Sequence, residues 1–377
     1  MKRFLVFHCL IFGVIAHAQQ KALSKAAQPL SENIIIITTD GFRWQEVFGG
    51  MDSVIANNNL YNEGDSTYIY QVYWDAEIKE RRKKLMPFLW SVIATSGQLY
   101  GNQTYGNKLN TANPYWFSFP GYSEIMTGFV DTAINSNEYP PNPNTNVLEY
   151  LNKQPGFKGK VSVFGAWNAF DRILNEKRSS IPVISAFDKV GGKFPNASQQ
   201  LINKMVSDSY KPWGMGECLD IFTHYAALEE LKRNKPRVLY IAYGETDEWA
   251  HSGKYRSYLD AAHQVDAWIQ HLWEVIQSDA QYRNKTTLFI TSDHGRGDIV
   301  KEQWRDHGSS IAGANEIWLA VIGPNVSPTG EVKTVMQCYQ QQFAQTIAQL
   351  LGYTFKAEHT VAPAIAPVMG NKMQKIK

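Results

Sequence analysis

Acidic and imidazole side chains stand where several apolar runs of this chain end, as in "NIIIITTDG" and "TLFITSDHG". Six such side chains lie at or near these points: Asp40, Asp247, His251, Asp293, His294 and His307. Carboxylates and neutral imidazoles are ligands of Zn2+-type ions, and a catalytic ion keeps open positions beside its protein ligands. Six ligands therefore predict two metal sites of three protein ligands each.

Each of these residues also has an ordinary structural interpretation. An Asp at a strand end, such as Asp40, is a common helix N-cap, and a single histidine such as His307 is more often a satisfied polar group than a ligand. The Asp247 and His251 pair could be a surface hydrogen bond on one helical turn. Three gathered carboxylates, however, need positive charge, and Lys and Arg are sparse in these stretches. The joint pattern therefore favours metal.

A nucleophile is predicted in "YWFSFPGYSEIMTG", where Ser118 precedes Phe119-Pro120 and the segment turns helical through "SEIMTG". A hydroxyl just ahead of a helix N-terminus faces free backbone N–H groups and a favourable dipole, which suits an anion such as phosphate. The alternative role for Ser118 is that of a helix N-cap. Ser123 is a second candidate nucleophile, which we expect inside the helix.

The elements that must position these residues follow an alternating pattern. Unalternating apolar runs predict strands buried on both faces, and stretches of helical periodicity lie between them. The predicted strands are 33–42, 158–167, 236–247, 286–295 and 315–324, and the clearest predicted helices are 257–279 and 338–352, the latter ending at Gly352. This order predicts an α/β fold with a mostly parallel central sheet sandwiched by helices, whose site lies beyond the C-terminal strand ends.

The termini and composition limit the class of protein further. Residues 1–18 combine Lys2-Arg3 with a short apolar core and Ala16-His17-Ala18, the pattern of a signal peptide, although a membrane anchor is the alternative. Residues 19–377 are expected to form one catalytic domain with insertions roughly at 43–110 and 135–230, with no transmembrane segment in the mature chain. A periplasmic or secreted location follows.

The charge of the mature chain is balanced. The whole sequence has 37 Lys and Arg against 35 Asp and Glu, and removal of Lys2 and Arg3 leaves 35 against 35. That balance predicts no nucleic-acid surface. The remaining cysteines, Cys218 and Cys338, are equally consistent with one disulfide and with two separate buried thiols.

The motif order resembles the alkaline phosphatase superfamily, and most closely its nucleotide pyrophosphatase/phosphodiesterase branch. The shared order is strand-Asp, Ser/Thr-x-Pro before a helix, Asp-x-x-x-His, Asp-His-Gly and His-Gly. The resemblance covers roughly 33–140 and 236–325 and includes Thr127-Gly128. It implies an alkaline phosphatase-like core with two divalent ions, expected to be Zn2+, and a small-molecule phosphate ester as substrate.

The resemblance also implies a role for each residue. Asp40, Asp293 and His294 would hold the metal that also binds the nucleophile oxygen, and the second metal would be held by Asp247, His251 and His307. Ser118 would be the nucleophile of a phosphomonoesterase or phosphodiesterase. An Asn that donates to a phosphoryl oxygen is assigned to Asn137, with Asn135 as the alternative; both could instead be turn residues.

Departures from the family pattern bear on the substrate. Gly121-Tyr122-Ser123 replaces the Asn-His-Tyr triplet of the phosphodiesterase branch, which weakens the case for a nucleotide. Sulfatases carry Ser-Arg where this chain has Gly121-Tyr122, so sulfatase action is disfavoured. The alternative functions are a sulfatase or phosphotransferase of the same superfamily, and an exported metal-containing carbohydrate-binding protein.

Overall fold

The protein is described by a computed structural model that covers residues 31–369, so the predicted signal peptide, 1–18, lies outside the described residues. Ten strands are present in this part of the chain: β1 Asn33–Thr39, β2 Gln98–Tyr100, β3 Asn107–Asn110, β4 Val161–Gly165, β5 Val183–Ser185, β6 Val238–Tyr243, β7 Thr286–Thr291, β8 Leu319–Ile322, β9 Gly330–Glu331 and β10 Met336–Tyr339. Eight of them form one sheet in the order β5-β4-β6-β1-β7-β8-β2-β9, and β3 pairs with β10.

Fourteen α-helices connect and cover these strands in residues 31–369. They are α1 Trp44–Gly49, α2 Ser53–Ala56, α3 Ser66–Tyr73, α4 Ile78–Leu85, α5 Ala94–Ser96, α6 Ser118–Thr127, α7 Val147–Asn152, α8 Phe170–Ile173, α9 Glu176–Ser179, α10 Ala197–Asp208, α11 Asp220–Arg233, α12 Glu245–His251, α13 Tyr255–Ser278 and α14 Phe343–Leu350. A π-helical turn spans Leu89–Ile93, and 3₁₀ turns span Gln103–Tyr105, Lys301–Arg305, Gln340–Gln342 and Ala366–Met369.

The sheet is mostly parallel, as predicted, with β8 as the antiparallel exception beside β7 and β2. Strand β1 lies in the middle and pairs in parallel with both β6 and β7. Its side chains alternate between two cores: Ile35 and Ile37 pack into one hydrophobic cluster, while Ile34 and Ile36 pack into the other. A strand buried on both faces explains why its sequence is apolar without alternation.

All five predicted strands are present; two begin at the predicted residue, and the other ends lie two to four residues inside the predicted bounds. Two details of the prediction were wrong. The apolar stretch 338–352 begins as the end of β10 and a 3₁₀ turn, and α14 starts only at Phe343. The segment after Ser118 becomes helical five residues earlier than predicted, because α6 already includes Ser118.

The predicted insertions add strands as well as helices. The segment 43–110 holds β2 and β3, and the segment 135–230 holds β5 in addition to the predicted β4. Strands β5 and β2 extend the sheet on opposite sides of its centre. These segments therefore build part of the sheet itself, and their status as insertions stays a prediction. Both Cys218 and Cys338 are buried and free, so the alternative of two separate thiols is the one observed.

Candidate metal centre and nucleophile

The centre of the site is formed where the three adjacent strands β6, β1 and β7 end. Asp40 follows β1, and its backbone N–H donates to Tyr243 O at the end of β6 over 2.9 Å. Asp293 lies just beyond β7, and its Oδ1 accepts from the backbone of Gly41 at 3.0 Å. Parallel neighbours thus bring two carboxylates from distant sequence positions to one edge of the sheet, as the motif analysis predicted.

His294 faces both carboxylates. Its Nδ1 lies 2.9 Å from the carbonyl oxygen of Gly295, which favours a proton on Nδ1 and leaves Nε2 as the free ligand atom. That Nε2 is 3.2 Å from Asp40 Oδ1, 3.5 Å from Asp293 Oδ2 and 3.6 Å from Asp247 Oδ1. His294 is therefore within reach of both predicted metal triads.

Helix α12 carries the next two predicted ligands one turn apart. Asp247 and His251 approach to 3.1 Å between Oδ2 and Nε2. The N-terminus of the helix is fixed by Asp220 of α11, whose carboxylate accepts from the backbone N–H groups of Gly244 and Glu245 at 2.7 and 3.0 Å. This carboxylate satisfies free N–H groups and complements the helix dipole, so it anchors the turn on which Asp247 stands.

His307 reaches the site from the loop before β8. Its Nε2 lies 3.0 Å from His251 Nε2 and 3.9 Å from Asp247 Oδ1. The next residue, Gly308, donates its backbone N–H to Trp116 O at 3.0 Å, which ties this loop to the segment ahead of Ser118. The structure thus brings together all six predicted ligands. When both are unprotonated, the two Nε2 atoms each offer a lone pair that a cation could bind.

Ser118 is the first residue of α6, and its hydroxyl points into this group. Its Oγ is 3.4 Å from Asp40 Oδ1 and 3.4 Å from His294 Nε2. The N-cap is Phe117, without a side-chain capping bond, so the interpretation of Ser118 as an N-cap was wrong. The second candidate nucleophile, Ser123, lies inside the helix, as expected, where its Oγ accepts from Asn142 Nδ2 at 2.9 Å.

Asn137 lies beside the start of α6. Its Oδ1 accepts from the backbone N–H of Phe119 at 3.0 Å, one residue after the predicted nucleophile. The carboxamide of Asn137 is thereby oriented at the helix N-terminus. Asn135 is exposed, and the contact to Phe119 favours Asn137 over it. The phosphate-contacting role of Asn137 remains a prediction.

The donor atoms fit a pair of divalent cations. The ligand atoms of Asp40, Asp293 and His294 all lie within 4.8 Å of one another, and so do those of Asp247, His294 and His307. Asp293 Oδ2 is buried without a hydrogen-bond partner among residues 31–369. A buried carboxylate oxygen without a donor is costly unless a cation binds it. Each residue's assignment as a ligand stays a prediction.

The pKa shifts of the predicted ligands also favour the binding of cations at this site. Burial, followed by repulsion from Asp247, raises the pKa of Asp40 well above its usual value, and burial and Asp40 raise the pKa of Asp293. Burial also lowers the pKa of His307 well below its usual range. Groups whose pKa is shifted by burial in this way lack compensating charge. Two divalent ions would supply that charge.

Arg296 was not predicted as a site residue, although its side chain enters the site. Its guanidinium is fully buried and donates to Gly41 O at 3.1 Å, to Asp247 O at 3.2 Å, to the Asp247 carboxylate and to Arg305 O. Although burial opposes the charge of Asp247, Arg296 and His251 hold its pKa well below the usual value. The signal was present as an Arg between two glycines, directly after Asp293-His294, in "DHGRG".

Tyr122 was also missed as a site residue. Its hydroxyl donates to Asp40 Oδ2 at 2.9 Å. Gly121, immediately before it, lies so close to β7 that an added Cβ would be 2.4 Å from Asp293 O. The Gly121-Tyr122 pair therefore differs from the family triplet for a structural reason. The glycine permits the close approach of α6 to β7, and the tyrosine holds the predicted ligand Asp40.

Comparison with protein families identifies the group to which this chain belongs. The sulfatase family model matches residues 32–353, so the chain is a member of the sulfatase family, within the alkaline phosphatase superfamily of hydrolytic enzymes. The superfamily prediction is confirmed. The finer resemblance to the nucleotide pyrophosphatase/phosphodiesterase branch stays a prediction. No curated protein matches the sequence.

Solved structures share the fold at low sequence identity. The wild-type alkaline phosphatase PafA aligns with a TM-score of 0.57 and 9% identity, covering 91% of this chain and 100% of that one. A sulfatase-like protein from Bacteroides thetaiotaomicron gives 0.57 and 13%, over 90% and 75% of the two chains. The phosphonate monoester hydrolase SpPMH from Silicibacter pomeroyi gives 0.53 and 14%, over 90% and 77%. These likenesses establish the α/β fold.

Proposed function

We propose that this protein is an exported phosphoric ester hydrolase that uses two divalent metal ions, Zn2+ in our expectation, and a phosphoserine intermediate on Ser118. The observation that carries the proposal is the position of the Ser118 hydroxyl, 3.4 Å from both Asp40 and His294 and at the N-terminus of α6. A nucleophile, six metal-type ligands and a helix N-terminus converge on one point, which is the arrangement that phosphoryl transfer requires.

Asp40, Asp293 and His294 would hold one ion, and Asp247, His251 and His307 the other. When bound, two such ions lower the pKa of a hydroxyl nucleophile and stabilise a leaving oxygen. The remaining residues of the site keep the ligands in place: Arg296 and Tyr122 hold Asp247 and Asp40, and Gly295 O holds the His294 ring. This chemistry explains why a serine can act at neutral pH.

The steps follow from the positions of the chain's own groups. Ser118 Oγ attacks phosphorus and forms a bond to it, while the bond between phosphorus and the ester oxygen breaks. The proton of the serine hydroxyl ends on the departing oxygen, which leaves as the alcohol. The Asn137 amide donates to a phosphoryl oxygen, and the dipole of the α6 N-terminus favours the negative charge of the phosphoryl group. Water then attacks the phosphoserine, releases phosphate or a phosphate monoester and restores the serine hydroxyl.

Phosphate is preferred to sulfate as the transferred group because of the residues that follow Ser118. Sulfatases place Ser-Arg where this chain has Gly121-Tyr122, and here Tyr122 is engaged with Asp40. A sulfatase is the second candidate. The match of residues 32–353 to the sulfatase family model supports it. A metal-containing carbohydrate-binding protein would not need a serine hydroxyl directed at the ligand group.

The test is hydrolysis of p-nitrophenyl phosphate, bis-p-nitrophenyl phosphate and p-nitrophenyl sulfate after chelation and after addition of Zn2+. Wild type is compared with Ser118→Ala and with Ser123→Ala, the matched control on the same helix. We expect Zn2+ to restore turnover of a phosphate ester in wild type and in the control, and Ser118→Ala to lose at least ~100-fold in kcat while it still binds two metals.

The preferred substrate separates the alternatives. Turnover of sulfate alone would favour the sulfatase, and full turnover by metal-replete Ser118→Ala would exclude the serine mechanism. The relative rates on the two phosphate substrates would distinguish monoesterase from diesterase.

Export is a separate part of the proposal and rests on the sequence pattern of residues 1–18. Among residues 31–369, no helix is both long and apolar enough to cross a bilayer. Cell fractionation of the full chain and of a chain that lacks residues 2–18 tests it. We expect only the full chain to reach the periplasm or medium.

A further inference from the structure

A buried carboxylate on the same helix as the predicted nucleophile has no part in the proposed hydrolysis. Glu124 lies on α6, two turns below Ser118, and is only 1% exposed. A buried carboxylate is costly unless N–H groups or cations bind it. The partners of Glu124 therefore show which parts of the chain it holds.

The carboxylate of Glu124 accepts hydrogen bonds from N–H groups of two other segments. Its Oε1 accepts from the backbone of Ala112 at 2.9 Å and of Gln341 at 2.8 Å. Its Oε2 accepts from the backbone N–H of Asn113 and from the side-chain Nδ2 of the same residue, both at 2.8 Å. A carboxylate suits these contacts because both of its oxygens accept and it has no N–H of its own.

Asn113 links this carboxylate to the residues just ahead of the predicted nucleophile. Its Nδ2 donates to Glu124, which fixes the direction of the other carboxamide atom, Oδ1. That Oδ1 accepts from the backbone N–H groups of Tyr115 at 3.0 Å and Trp116 at 3.1 Å. We refer to residues 112–117, which lead into α6, as the entry loop. Glu124 and Asn113 together hold the backbone of this loop.

The entry loop makes an unfavourable turn at Trp116. Its φ of +55° lies in the left-handed region, which bulky L residues rarely adopt unless their surroundings enforce it. Asn113 binds the N–H of Trp116, and the N–H of Gly308 binds its carbonyl at 3.0 Å. The next residue, Phe117, is extended, and α6 then starts at Ser118. These bonds therefore set the direction in which the chain enters α6.

Glu124 also connects α6 to the segment that supports the end of β7. Gln341 donates its backbone N–H to Glu124. The residue before it, Gln340, donates its side-chain Nε2 to Asp293 O at 2.6 Å and to Ser292 O at 3.2 Å. One buried carboxylate thus fixes the helix of the nucleophile relative to the strand end that carries the predicted ligand Asp293.

We propose that Glu124 is a positioning residue for Ser118, which it aligns by holding the entry loop and α6. This inference rests on the proposed role of Ser118 as nucleophile. Glu124 acts through Asn113 and through backbone N–H groups, without contact with the ester. A reacting group that moves by about 1 Å can lose roughly 100-fold in rate, so contacts of this kind affect turnover. The predicted metal ligands lie on other segments, and their affinity for metal should not depend on Glu124.

The kinetic test compares Glu124→Gln with Glu149→Gln. A glutamine has one acceptor oxygen, so Glu124→Gln would direct an NH2 group at N–H donors. Glu149 on α7 is a matched control, because it is equally buried but pairs with Lys153 and Arg178. With Zn2+-loaded protein and the p-nitrophenyl phosphate esters, we expect Glu124→Gln to lose about 10- to 100-fold in kcat at unchanged KM and metal content. Glu149→Gln should lose thermal stability and keep its kcat.

A second measurement works without turnover. Hydrogen–deuterium exchange reports on the backbone N–H groups of Tyr115 and Trp116, whose acceptor is Asn113 Oδ1. We expect both to exchange at least ~10-fold faster in Glu124→Gln than in wild type or Glu149→Gln. Asn113→Ala removes that acceptor and leaves Glu124 in place. It should show the same faster exchange and a similar loss of kcat, and it carries the test if Glu124→Gln does not fold.

The outcomes separate this inference from the hydrolase proposal. Wild-type kcat in Glu124→Gln and Asn113→Ala overturns the positioning role and leaves the hydrolase intact. A loss of bound metal that matches the loss of kcat also overturns it, because the ligands would then be responsible. If wild type hydrolyses no ester while both variants show the faster exchange, the hydrolase proposal fails and the control of the entry loop by Glu124 stands.

Discussion

The fully buried guanidinium of Arg296 donates to the carboxylate and to the backbone carbonyl of Asp247, and so connects the segment after β7 to helix α12. Further bonds reach Gly41 O, next to Asp40, and Arg305 O, two residues before His307. One side chain thus holds together every segment that carries a predicted metal ligand. The planar fork of an arginine can do this, whereas the point charge of a lysine cannot.

Arg296→Lys should keep the charge but lose most of these bonds. We expect the affinity for the second metal to fall about 10- to 100-fold, as is typical for the loss of a group that orients a ligand. Titration of the apo protein with Zn2+ against a chromophoric chelator measures it, with Arg283→Lys, an exposed arginine, as the control. Unchanged affinity for both metals would contradict this role for Arg296.

Tyr122→Phe removes the 2.9 Å hydrogen bond to Asp40 Oδ2 and little else. A hydrogen bond to a charged group contributes roughly 1.5–3 kcal/mol. The affinity of Asp40, Asp293 and His294 for their metal should therefore fall by a factor of about ten or more. The same chelator competition is the measurement, with Tyr150→Phe on α7 as a tyrosine control remote from the site. Equal metal affinity in Tyr122→Phe and wild type would show that Asp40 is held by other contacts.

Gly121→Ala should disrupt the site without touching a predicted catalytic side chain. The added Cβ would meet Asp293 O at 2.4 Å, a backbone atom that cannot rotate away, so α6 must shift from β7. Overpacking of this kind costs about 1–3 kcal/mol, and displacement of Ser118 should lower kcat at least ~10-fold. Gly49→Ala, where nothing lies within 4 Å, is the control. Normal kcat and thermal stability in Gly121→Ala would refute the close approach.

His224 predicts a pH dependence of stability that is separate from the metal site. It is buried, its ring stacks on Trp268 at 5.0 Å, and its Nδ1 lies 3.0 Å from Tyr243 OH. Burial lowers its pKa to about 3, while the unfolded chain keeps a value near 6.5. Because the folded pKa is depressed, the unfolded state binds the proton first, and stability is lost as pH falls below 6.5.

The measurement for His224 is urea unfolding of wild type and His224→Gln between pH 7.5 and 4.5. The difference in unfolding free energy between the two should shrink as pH falls, by at most ~1.4 kcal/mol per pH unit for one proton. His359→Gln, at a half-buried histidine, is the control and should retain the wild-type slope. Parallel curves for wild type and His224→Gln would mean that His224 does not titrate differently in the folded state.

The sequence by itself determined the central part of the fold and the six predicted metal ligands. Runs such as 33–42 and 286–295 are apolar without alternation because their strands are buried on both faces, and the ligands follow because parallel strands end at one edge. Spacing alone also placed Asp247 and His251 on one helical turn.

The tertiary structure alone decided which other charges join that edge. Arg296 and Asp247 are 49 residues apart in the chain, and no local pattern says that the guanidinium of one compensates the carboxylate of the other. The helix start at Ser118 was likewise not predictable from the local sequence. The backbone N–H of Phe119, in the first turn, donates to the distant Asn137 and not to a local capping side chain. Such long-range contacts are set by how the segments pack, and packing leaves no periodic signal in the chain.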